Sequence, residues 1–229
     1  MRFRDRAEAG RRLAAMMMAH RPEAPRVFGL GASGLPVALE VAQGLGAPLE
    51  VWMARGVASP EEGGRPVGAV AEGEGLYLDI EGIRAAVAPA SELARWMDAE
   101  AGEVALAAQH LRGGHARLEA RGCTAVLVVD GLGADTGPVV AALRGLRRQS
   151  PARLVLAAPV ASAEELERLR PEVDEVVCCR PSWSLVTVAH AYDDLREVPE
   201  REARQVLARA RRLATVGTQL GTQGSGDWM

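Results

Sequence analysis

The chain contains no lysine; all 27 of its basic residues are arginine. That absence excludes Schiff-base chemistry, a lysine general base and the phosphate-binding lysine of a P-loop. Aromatic residues fill only 3% of the 229 positions, too few for the stacking platforms that hold single-stranded nucleic acid. A formal net charge of −3 offers no electrostatic footprint for a polyanion, so no nucleic-acid partner is expected. No apolar run approaches the roughly 18 residues of a membrane span, and no membrane association is expected. The opening stretch MRFRDRAEAG carries no apolar core of a secretory leader. Cysteine is scarce: Cys123, Cys178 and Cys179 form no CxxC pair. An odd set with two adjacent members reads as reduced thiols in a cytoplasmic compartment.

What the chain does have is apolar material in short, regular blocks. Hydrophobic residues make up 48%, mostly Val, Leu and Ala, enough to fill the core of one domain. Apolar runs at residues 26–30, 48–54, 75–80, 125–129, 152–159 and 173–179 read as strands. Between them, helical spacing covers residues 3–19, 37–45, 91–111, 139–148, 160–169 and 186–196. Asp5 and Ser91 are candidate N-caps, and Ser162 with Glu165 has the spacing of a capping box. This alternation predicts a three-layer α/β fold, with a mostly parallel sheet flanked by helices. The domain spans residues 1–200, a C-terminal helix follows over 201–214, and the Gly-, Thr- and Gln-rich residues 215–229 read as a flexible tail. The Ala-rich helices are compatible with a homodimer.

The stretch AVLVVDGLGADTGP, residues 125–138, organises the chain. A buried strand leads to Asp130, a Gly-rich loop and a helix. Such a layout turns backbone N–H groups and a helix N-terminus toward an anion. The acid at the strand end suits a sugar hydroxyl or a metal; an ordinary turn with a capping Asp has the same outline. A second strand–loop–helix unit carries Gly31-Ala32-Ser33-Gly34-Leu35-Pro36. It is not a nucleophile elbow around Ser33, because Leu35 stands where that motif needs Gly. His110 and His115 fall on different helical faces, so no metal site is expected there. The loops at 31–36, 55–60 and 130–138 all follow strands and are expected to share one sheet edge.

Residues 125–138 resemble the phosphoribosyl diphosphate (PRPP) motif of type I phosphoribosyltransferases, in which a hydrophobic strand leads to two adjacent acids and a Gly/Thr loop. Asp130 matches the second acid, and Gly131, Thr136 and Gly137 lie on the loop. Residues 30–38 are similar to the family's L-P-R-G-G-x-P-V-A loop, keeping Leu30, Gly34, Pro36, Val37 and Ala38. Arg55 matches the first member of an Arg-Lys pair, and Gly-Ala-Val-Ala-Glu-Gly at 68–73 matches a further signature. The resemblance implies transfer of a 5-phosphoribosyl group from PRPP to a nitrogenous acceptor, with Mg²⁺ on the diphosphate. It gives Asp130 the ribose hydroxyls and a catalytic role. It gives Gly131, Ala134, Asp135, Thr136 and Gly137 the 5′-phosphate of PRPP or a nucleotide. It gives Gly31, Ala32, Ser33, Gly34 and Arg55 the pyrophosphate.

The departures fall on charged positions. The first acid is Val129, the pyrophosphate-loop Arg is Ala32, and the Lys is Gly56. The PRPP loop is two residues longer and carries Asp135, which repels phosphate, and Pro138, which has no N–H. Each lost charged contact costs about 1.5–3 kcal/mol. A second reading follows: a catalytically inactive paralogue serving as a ligand-binding or protein-interaction module. Trp183, in the segment that would close over substrate, suits either stacking on a ligand or plugging the sheet end.

Overall fold

A computed structural model describes residues 2–61, 64–182 and 187–222, with only the backbone described over 215–222. The elements run α1 (Arg6–Met16), β1 (Arg26–Leu30), α2 (Gly31–Leu45), β2 (Leu49–Trp52), β3 (Ala54–Ala58), β4 (Pro66–Ala71) and β5 (Gly75–Leu78). They continue with α3 (Ile80–Ala86), α4 (Ala90–Arg112), β6 (Thr124–Val128), α5 (Gly137–Arg148), β7 (Arg153–Ser162), α6 (Ala163–Leu169), β8 (Glu175–Ser182) and α7 (Glu200–Thr222).

Five strands form one sheet in the order β2-β1-β6-β7-β8, every neighbouring pair parallel. The side chains of a strand alternate between faces, and both faces here are apolar. Val126 and Val128 join a cluster with Leu13 of α1, Val37 and Val41 of α2 and Leu207 of α7. Ala125 and Leu127 face the other way, against Val140, Leu143 and Leu146 of α5. The expected three-layer α/β architecture is therefore the one observed. Strand order reverses between β1 and β6, because β2 lies on one side of β1 and β6 on the other. Ligands of such sheets bind beyond the strand carboxyl ends at this reversal.

A smaller antiparallel sheet, β3-β4-β5, stands beside the main one. Val57, Val67 and Val70 pack there against Met97 and Val104 of α4. Residues 55–60, expected as a loop, are largely β3, because Val57 is drawn into this cluster. The 75–80 strand likewise belongs to this sheet. The close approach of α5 to the β4–β5 turn is built on glycine: a Cβ on Gly145 would collide with the Glu72 carbonyl oxygen, and one on Gly75 with that of Ala141.

A buried ionic group also ties the two sheets together. The Glu72 carboxylate accepts from Arg112 Nη1 at 2.7 Å and Nη2 at 2.8 Å, and from the Met53 amide at 2.9 Å. Arg112 Nη2 also donates to the Val51 carbonyl, and Arg211 Nη1 to that of Arg112. Glu50, 3% exposed, lies 3.6 Å from Arg112 Nε. One arginine thus joins β2, the β4–β5 turn, α4 and α7.

Several boundaries differ from the sequence reading. Ser162 does cap α6 through the Glu165 amide at 3.1 Å. The reciprocal half of the capping box is missing, because the Ser162 amide donates to Leu132 in a strand-like extension of β7. The described part of the expected 186–196 helix, residues 187–196, is not α-helical. Only Val188–Ala191 forms a 3₁₀ turn, since Phe3 pairs with the segment: its amide donates to Ala191 and its carbonyl accepts from Asp193. The C-terminal helix runs past 214 to Thr222; Gly217 and Gly221 lower its propensity, but no proline stops it. Residues 223–229 of the expected tail lie outside the described residues. Among the described residues no helix is long and apolar enough to cross a membrane.

All three thiols are held protonated. Burial pushes Cys123 and Cys178 up, and Cys179, beside Cys178, up to about 11. Cys178 packs on one side of β8 and Cys179 on the other, so their side chains diverge.

Three outcomes follow from these contacts. Gly145→Ala should cost about 1–3 kcal/mol in urea unfolding, whereas Gly102→Ala on open α4 surface should be neutral or stabilising by up to ~1 kcal/mol; equal effects would disprove the close approach. Glu72→Ala, which strands buried Arg112, should cost about 3–5 kcal/mol; a cost below ~1 kcal/mol would show the ion group to be solvated. With DTNB at neutral pH, the half-buried native thiols should react at least roughly tenfold slower than a free thiol and become fast in guanidinium; fast native labelling would contradict their raised pKa values.

Candidate functional site

The strand reversal puts two chain segments together. After β1, the backbone takes a left-handed step at Gly31, φ +61°, and enters α2 directly. The expected loop at 31–36 is thus mostly helix, because nothing separates strand from helix but that one glycine. No side chain caps this end of α2. The first-turn amides have no partner within the helix, and the left-handed-then-helical step shapes them into an anion-binding concavity. Gly31, Ala32 and Ser33 are half-buried, and Gly34 is buried. A Cβ on Gly34 would stand 2.9 Å from the Val128 carbonyl oxygen, so this turn lies against the end of β6.

Beyond β6 the two motif positions part. Val129 is 2% exposed and packs in the core, which leaves Asp130 as the acid of the motif. Arg6 of α1 donates to Asp130 Oδ2 twice, from Nε at 3.0 Å and from Nη2 at 2.9 Å. Its Nη1 donates to the Arg196 carbonyl at 2.6 Å. The Tyr192 hydroxyl donates to the Asp130 carbonyl oxygen at 2.7 Å. Burial raises the pKa of Tyr192, the Asp130 charge adds to the rise and Arg6 opposes it; the phenol stays a donor at neutral pH.

The loop that follows is partly consumed by the fold. Leu132 is buried, and its amide donates to Val160 at 2.9 Å. Gly131 lies under Val188, whose methyl groups would collide with any Cβ there. Thr136, expected to reach the phosphate, points inward and donates to Glu165 Oε2 at 2.8 Å. The Gly137 amide goes to Asp135 Oδ1 at 3.3 Å. The amides of Ala134, Asp135 and Thr136 make no hydrogen bond among the described residues, and Ala134 and Asp135 are exposed. On the β7 and β8 side, a cavity of about 440 Å³ is lined by Ala134, Ser162, Glu164, Glu165, Glu167 and Ser182. Its acids repel a phosphate, so an anion is favoured on the α2 side.

Arg55 does not join this group. It pairs with Glu100 Oε2 of α4 at 2.7 Å, half-exposed. Its neighbour Gly56 faces the loop instead, where an added Cβ would lie 4.0 Å from Asp135 Oδ2. Adjacent strand residues point to opposite faces, so only one of the pair can address the crevice. Trp183 lies outside the described residues.

The reading of the sequence missed Arg6, Tyr192 and Glu165 as partners of the motif. Arg6 had a signal: it shares the inward helical face of Ala9 and Leu13, where a buried charge needs a partner. Among the described residues no imidazole is hydrogen-bonded to a serine or cysteine, and no metal-binding cluster of acids, His and Cys occurs. The arrangement can hold an anion on backbone amides and a hydroxyl on Asp130.

No family model matches the chain. Two Mycobacterium tuberculosis proteins, from strains CDC 1551 / Oshkosh and ATCC 25618 / H37Rv, are each 30% identical to it over 210 residues. Both carry the provisional name of phosphoribosyl transferase. The match covers 92% of this chain and 47% of theirs, so the chain spans about half the length of these curated relatives. The crystal structure of TT1426 from Thermus thermophilus is similar with a TM-score of 0.77 and 36% identity, covering 91% of this chain and 99% of that one. Relatedness over nearly the whole chain agrees with a parallel sheet whose motif loop opens at the strand reversal, and this protein belongs to the phosphoribosyltransferase-like family.

Proposed function

We propose that this chain binds a 5-phosphorylated ribose, PRPP or a nucleotide, in the crevice beyond β1 and β6. One observation carries the reading: the uncapped first turn of α2 lies against the Val128 carbonyl at the end of β6, two residues before Asp130. The amides suit the phosphates, and the carboxylate suits a ring hydroxyl. Mg²⁺ would arrive on the diphosphate, held by phosphate oxygens and water, as this ion commonly is. The described residues offer it no cage of their own. Three free, half-buried thiols suit a reducing cytoplasm.

Efficient transfer asks for more than binding. The leaving pyrophosphate needs preorganised positive charge, and the chain supplies little. Ala32 is neutral, Gly56 has no side chain, and Arg55 is held by Glu100. Val129 in the core removes a second acceptor for the ribose. These substitutions favour the second reading, a binding module that turns over slowly or not at all.

Isothermal calorimetry with PRPP and Mg²⁺ tests the proposal. Wild-type protein should bind in the micromolar to millimolar range, and Asp130→Asn should weaken binding about tenfold, or ~1.4 kcal/mol. Silence at several millimolar PRPP would overturn the reading. Pyrophosphate release with a panel of nitrogenous bases then separates the two forms of it: release marks a transferase, and binding without release marks the module.

A further inference from the structure

Asp130 is not a free carboxylate. Arg6 reaches it across 124 positions of sequence and places two donors on the same oxygen, Oδ2. Its third hydrogen bond, to Arg196, fixes the guanidinium from the other side. The Arg6 side chain is only 10% exposed, so packing sets its plane, and the plane sets the carboxylate. Tyr192 fixes the backbone of the same residue through the carbonyl oxygen. Oδ1 accepts no hydrogen bond among the described residues, yet it is not one of the buried unpartnered atoms. It is the one oxygen of this carboxylate left for a ligand.

Charge gives the arrangement a second consequence. A lone carboxylate close to the amide-rich first turn of α2 would repel the phosphates that turn suits. Arg6 at 2.9 Å cancels that charge while leaving an acceptor in place. The result is an oxygen that can take a hydroxyl without driving off a phosphate.

We propose that Arg6 is a positioning residue for the phosphoribose site: it ties down Oδ2 and neutralises Asp130, so that Oδ1 alone accepts a ring hydroxyl and the site selects ribose phosphates over deoxyribose phosphates. The proposal rests on the reading given under Proposed function and adds to it the selection between sugars.

Calorimetry with ribose 5-phosphate and 2-deoxyribose 5-phosphate tests it, on wild type, Arg6→Gln, Arg6→Lys and Tyr192→Phe. Wild type should prefer the ribose form by about tenfold. Arg6→Gln should bind both sugars more weakly and prefer ribose by less than roughly threefold. Arg6→Lys restores the charge without the fork, so it should recover affinity but not preference. Circular dichroism and thermal melting establish that each variant is folded. Should Arg6→Gln fail to fold, Tyr192→Phe carries the test, since Phe keeps the ring contact with Phe3; its preference should fall about twofold. Wild-type preference retained in the folded variants would overturn the positioning role and leave phosphoribose binding intact. Equal wild-type binding of both sugars would overturn the selection alone. No wild-type binding of either would overturn the phosphoribose reading and this proposal with it.

Discussion

The close approach of the first turn of α2 to the end of β6 is the constraint on which the crevice depends. Gly34 allows it, since a Cβ there would stand 2.9 Å from the Val128 carbonyl oxygen. With that contact made, an uncapped helix end lies beside Asp130. Its free amides become part of one site rather than an unsolved problem of helix termination. A helix that began even one turn later would put a loop in this place, and the amides would no longer be aligned by the helix behind them.

Charge in this molecule is handled by forks. With no lysine in the chain, every cation is a guanidinium, which is planar and well matched to carboxylates. The two buried arginines among the described residues use it for different ends. Arg112 saturates Glu72 with two donors and so joins the small sheet to the large one. Arg6 holds one oxygen of Asp130 and leaves the other. The first pair is consumed by the architecture. The second is only half consumed, and that difference separates an element of the frame from an element of the site. The cost of burying such pairs is high unless their groups are met, and both arginines offset part of it by also donating to main-chain carbonyls, while Arg112 Nε is left facing Glu50 at 3.6 Å without a hydrogen bond.

Much of the frame was legible in the chain. Runs such as AVLVV and RLVLAAP are buried on both faces and read as parallel strands without any partner being known. The outline of the motif, strand then acid then glycine loop, was legible for the same local reason. What was not legible depended on residues distant in sequence. Thr136 reads as a phosphate ligand until Glu165, brought close by α6, takes its hydroxyl. Arg55 reads as a pyrophosphate cation until Glu100 of α4 takes its guanidinium. Met16 fits the inward spacing of α1 but is 54% exposed, because the helix ends there and the chain turns away. Residues 186–196 have helical spacing, yet Phe3 bridges to Tyr192 and the described stretch keeps only a 3₁₀ turn at Val188–Ala191. In each case a local preference worth tenths of a kcal/mol yields to a tertiary contact worth more.

The pairing of Phe3 with the segment around Tyr192 also bears on how the protein comes into being. Synthesis delivers the N-terminal helix first, and domains begin to fold as they emerge. Arg6, however, finds its last acceptor at Arg196, and Asp130 finds its hydroxyl donor at Tyr192. A ribosome must therefore release nearly the whole domain before the crevice can close around its acid. Contacts this distant in sequence form late and slowly. The part of the molecule that meets a ligand thus waits on a segment that a nascent chain makes only after all five strands of the main sheet, and a chain cut before Tyr192 would own those strands without owning the site.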